Sequence, residues 1–121
     1  MAIQVDATGA PRILRLTIGE SWPGLEEQRS WRQSMIESGQ ITAETRALID
    51  VRSLTQLPKY EELQGILNGI MRDGGWPLQR AFLTSTVAQF GVARQLQLMA
   101  PPTISVEVFN DLNEAEAWLD A

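Results

Sequence analysis

The chain has 121 residues, 44% of them hydrophobic, which suffices for one packed core and defines a single domain spanning 1–121. It contains no Cys and no His, so disulfides, thiolate nucleophiles, imidazole bases and the common zinc and haem ligand sets are excluded. The net charge of −5 is placed unevenly: residues 95–121 carry five acids and no Lys or Arg, while the rest of the chain is balanced. Nucleic acid, repelled by that acidity, is not an expected partner.

Residues 3–5 and 12–18 (RILRLTI) alternate apolar with polar side chains around a turn-forming stretch at 6–11, which predicts two strands joined as a hairpin. Pro23 followed by Glu26 and Glu27 suits the first turn of a helix and its positive dipole end. That helix is expected to run to about Ser38, with Gly39 ending it. The short apolar run 47–51 (ALIDV) is the best candidate for a central strand.

After it, Pro58, Glu61 and Glu62 open a second helix, along which Leu63, Ile66, Leu67, Ile70 and Met71 recur at helical spacing until Asp73-Gly74-Gly75 stops it. Residues 78–83 form another strand. Thr84, Ser85 and Thr86 then offer three N-caps for a helix from Val87 to about Met99, ended by Pro101 and Pro102. Residues 104–109 (ISVEVF) place Ile104, Val106 and Val108 on one face of a closing strand, and Asn110 or Asp111 caps a last acidic helix over 112–119.

Strands separated by helices need parallel crossovers, whereas the first two strands are close enough in sequence to pair antiparallel. The expected fold is therefore α/β: a mixed, mostly parallel sheet of four to five strands with about four helices. No stretch approaches the roughly 18 uncharged apolar residues of a membrane span, and the N-terminus lacks the basic start and apolar block of a signal peptide, so a cytoplasmic location is expected.

Two segments carry a family resemblance. The strand and loop Ala47-Leu48-Ile49-Asp50-Val51-Arg52-Ser53-Leu54 is similar to the central strand of the SpoIIAA-like bacterial proteins, whose fold is that of STAS domains and anti-sigma-factor antagonists. The ending Val106-Glu107-Val108-Phe109-Asn110-Asp111-Leu112, with Glu114-Ala115-Glu116-Ala117-Trp118-Leu119, resembles that family's closing strand and helix. The resemblance implies a non-enzymatic regulatory or binding module that takes a protein partner or a small apolar or anionic ligand and self-associates as a homodimer. In the phosphoregulated members a serine of an Asp-Ser-Ser-Gly type motif opens the helix after the central strand. Here that helix opens with Leu57-Pro58-Lys59-Tyr60, so the phosphoacceptor is not carried over.

The candidate ligand-binding residues lie where parallel sheets place ligands, at the C-terminal ends of strands: Asp50, Arg52 and Ser53 after one strand, and Thr84, Ser85 and Thr86 after the next. The bland reading of Asp50 is a structural ion pair with Arg46, Arg52 or Arg80, and of the three hydroxyls, helix capping. No catalytic residue, metal ligand or cofactor is assigned. The competing readings are a small enzyme working through carboxylates, Tyr60 or hydroxyls at those strand ends, and a switch phosphorylated on Ser53 or Ser85. Nine of the ten bases are Arg, the side chain suited to gripping a carboxylate or phosphate and also the one that GC-rich codon usage yields. Of the four Trp residues, Trp118 is expected to dock the last helix, Trp22 and Trp76 to sit beside prolines at element starts, and Trp31, flanked by Arg29 and Arg32, has no clear place.

Overall fold

A computed structural model describes residues 3–6 and 13–120. Its five-stranded sheet has the order β1-β2-β3-β4-β5, the same as the order along the chain. β1 (Ile3–Asp6) runs antiparallel to β2 (Ile13–Ile18), as the alternating pattern predicts, while the expected turn between them lies outside the described residues. β2, β3 (Arg46–Asp50), β4 (Gln79–Leu83) and β5 (Ser105–Phe109) are parallel neighbours.

Each parallel step encloses one helix: α1 (Leu25–Glu37), α2 (Tyr60–Arg72) and α3 (Val87–Met99). Because every crossover joins adjacent strands with one hand, these three helices stack on the same face. Met35, Leu63, Ile66, Ile70, Ala93 and Leu96 bury there against Leu14, Leu16, Ile18, Ala47, Ile49 and Phe82. After β5, α4 (Leu112–Asp120) folds back over the opposite face, with Ala115 and Leu119 against Ile13, Leu48, Ala81 and Leu83. Being covered on both faces explains why the middle of β3 is a continuous apolar run rather than an alternation.

Local chemistry sets the ends of the helices. Thr86 is the residue of the three hydroxyls that caps α3, its side chain accepting from Gln89 N at 3.1 Å. Asp111, not Asn110, caps α4, accepting from Asn113 N and Glu114 N at 2.8 and 3.1 Å. At α2 the Glu62 carboxylate accepts from Lys59 N at 3.1 Å, and Gly74 and Gly75 leave the helix at φ +92° and +81°, a region closed to most side chains. Pro23 stands one residue before Gly24, the N-cap of α1.

α1 departs from the ordinary amphipathic pattern. Its buried residues are Gln28, Arg32 and Met35, so two of the three side chains directed into the core are polar. No helix among the described residues is long and apolar enough to cross a membrane.

Candidate functional site

The six residues singled out at the strand ends are gathered along one edge of the sheet, as the parallel register requires: Asp50 pairs with Leu83, the residue before Thr84. Most of their polar groups are engaged within the fold. Arg52 grips Asp50 in a fork, Nε to Oδ1 at 3.0 Å and Nη2 to Oδ2 at 2.8 Å, and Arg52 N adds a third bond to Oδ1 at 3.0 Å. Burial alone pushes the Asp50 carboxyl upward, but the hydrogen bonds and charge of Arg52 outweigh it and hold the group below its ordinary 3.8. Such a carboxylate stays ionised and makes a poor proton donor.

Of the three arginines considered as partners for Asp50, Arg52 is the one that pairs. Arg46 instead donates to the carbonyl of Leu119, tying β3 to the end of α4, and Arg80 points to the other side of the sheet. Thr84 is buried, and its backbone N and its hydroxyl both donate to the Phe109 carbonyl, at 2.8 and 3.2 Å. Ser85 N, Ser85 Oγ and Thr86 N converge on Oε1 of Gln89 at 2.8, 3.2 and 3.2 Å. The Gln89 side chain, 2% exposed, turns its Nε2 to the carbonyls of Arg52 and Leu54 at 3.0 and 2.9 Å. Gln89 thus fills the strand-end cleft and welds the start of α3 to the loop after β3. Ser53 is exposed beside it.

A different site lies between the sheet and the helices. A partly open cavity of about 70 Å³ has a floor of Leu16, Ile18, Ile49, Phe82 and Val106, and walls from Trp22, Trp31, Ile66, Leu67, Ile70 and Leu96. Into this apolar surround project Gln28 and two guanidinium groups, Arg32 from α1 and Arg80 from β4. Arg32, 5% exposed, donates through Nε to Oδ2 of Asp73 at 3.0 Å, and its Nη2 lies 2.9 Å from the same oxygen in an ion pair. Gly69 makes room for that pair: a Cβ there would lie 3.2 Å from Arg32 Nη2.

Arg80, 8% exposed, has no such partner. Its Nε and Nη2 donate to the neutral carbonyls of Pro77 and Trp76 at 2.9 and 3.0 Å, and none of the ion pairs among the described residues includes it. Burial, and then repulsion from Arg32, lower its pKa to about 9, so it is still a cation at neutral pH. Counting Arg32, Arg80 and Asp73, the group carries one positive charge in excess. In the same wall, Nε1 of Trp22 is buried without an acceptor.

The alternation in β4 puts Arg80 on the same face as Phe82, and the four-residue step from Gln28 to Arg32 puts both on the inner stripe of α1. Those were the sequence signals for this site, together with the unplaced Trp31.

A monotonic mixed sheet with three helices on one face and a closing helix on the other is an α/β arrangement, the SpoIIAA-like fold. Among solved structures, the chain is similar to the crystal structure of an uncharacterised protein of the DUF3478 family with a SpoIIAA-like fold from Shewanella loihica PV-4. The TM-score is 0.67 at 20% sequence identity, covering 98% of this chain and 92% of that one. No protein-family model matches the sequence, and no curated protein does. At that identity the likeness establishes the fold alone.

Proposed function

We propose that this chain is a non-enzymatic, cytoplasmic binding module of STAS-like fold that takes a small, largely apolar molecule between its sheet and the helices α1 to α3. The observation that carries the reading is the cavity itself, an apolar hollow between the sheet and its helices. The strand-end residues favour it from the other side. Asp50 is paired with Arg52, and the Thr84 hydroxyl donates to the Phe109 carbonyl, so two of the groups on which an enzymatic reading depended are engaged in structural bonds.

Native mass spectrometry of gently purified protein tests the proposal, together with titration of an environment-sensitive apolar dye. A retained small molecule, or saturable dye binding that Val106→Phe removes by filling the floor of the cavity, is the expected result. Protein free of ligand that also fails to bind the dye overturns the reading.

A further inference from the structure

We propose that the ligand of this cavity is a monocarboxylate with a short apolar tail, its head group held at Arg80. The inference rests on the binding reading above and adds to it the chemical class of the ligand.

Charge is the first ground. An arginine buried among Ile, Leu, Phe and Val without a carboxylate in reach costs far more than an apolar residue of similar size in the same place. Arg32 answers that cost within the chain by pairing with Asp73. Arg80 is answered only by two backbone carbonyls, which require donors but no charge. A single negative charge delivered from solution would balance the cavity.

The same count selects the head group. One excess positive charge neutralises a carboxylate, whereas a phosphate dianion would leave a negative charge buried against walls that are almost wholly apolar. A planar guanidinium also matches a planar carboxylate. Size limits the rest of the molecule. About 70 Å³ is roughly half the ~150 Å³ of an apolar cavity that takes a benzene ring. The enclosed part of the tail is therefore a few carbons, with any longer chain directed to the open mouth.

The test compares hexanoate, 1-hexanol and inorganic phosphate by calorimetric titration of the full chain at neutral pH. Hexanoate is expected to bind about tenfold or more tightly than 1-hexanol, as a charge-assisted bond requires, with phosphate weakest. Arg80→Gln, which keeps a donor for the loop carbonyls but removes the charge, is expected to abolish that preference, so that hexanoate and 1-hexanol bind the variant about equally. Equal affinity for hexanoate and 1-hexanol overturns the carboxylate assignment and leaves the binding module standing. Phosphate binding more tightly than hexanoate also overturns it, and no binding by any of the three defeats both readings. Should Arg80→Gln not fold, the wild-type protein still decides: hexanoate must shift the NMR signals of Arg80 Nε–H and Trp22 Nε1–H, and unmoved signals overturn the proposal.

Discussion

Asp50 ends β3 and Arg52 lies in the turn that follows, closed by Leu54 N donating to the Val51 carbonyl, which brings a guanidinium fork back onto the carboxylate. Because the folded state holds Asp50 below its ordinary 3.8, the pair contributes stability above that pH, and the contribution is lost as pH falls through the lowered value. Arg52 is about half exposed, so the contribution is at most about 1 kcal/mol after solvent screening. Asp50→Asn is expected to melt below wild type at pH 7, with the difference narrowing toward pH 2; an equal difference at both pH values would show that the charge is not its source. Gln89 matters more. Truncation to Ala leaves Ser85 N, Thr86 N and two buried carbonyls without partners and is expected to cost about 2–3 kcal/mol in urea unfolding, against about 1 kcal/mol for loss of the Thr86 cap alone in Thr86→Ala.

Among the elements, those bounded by strong local chemistry were readable from sequence. The apolar run of β3, the hydroxyl cap of α3, the Gly pair after α2 and the aspartate before α4 each encode a boundary within a residue or two of its place. The inward face of α1 was not readable, because periodicity treats Gln28 and Arg32 as solvent-facing and so leaves the helix looking poor in apolar contacts. They turn inward because Asp73 and the Pro23 carbonyl, distant or irregular in sequence, wait for them in the fold. The acidic helix α4 shows the reverse. Its charges looked distinctive, yet the side chains it buries on the sheet are apolar: Leu119 is fully buried, and Trp118 lies 5.8 Å from Phe109, centroid to centroid. Leu119→Ala is expected to cost about 2–5 kcal/mol, whereas Glu116→Ala, which removes the part-exposed pair with Arg15, is expected to cost under about 1 kcal/mol. Denaturant unfolding of the two variants measures both.

For the whole molecule, the fold class followed from alternating strands and helices, but the cavity could not, since it exists only where α1, α2 and α3 meet one face of the sheet. The six strand-end residues were placed correctly in space; what was not legible is that Gln89 closes that edge, reaching across 35 residues to Leu54. Val106 tests this picture at the scale of the core. It sits on the cavity floor, directly beside Arg80 across the β4–β5 pairing. Val106→Ile keeps the β-branch suited to a strand and extends one methylene into the hollow, where it displaces nothing already packed. The substitution is expected to raise stability by up to about 0.8 kcal/mol, the value of one buried methylene. By occupying the same space it is also expected to weaken dye and hexanoate binding. The two effects must appear together: stabilisation without loss of binding places the ligand elsewhere, and destabilisation means that the hollow is already filled in solution.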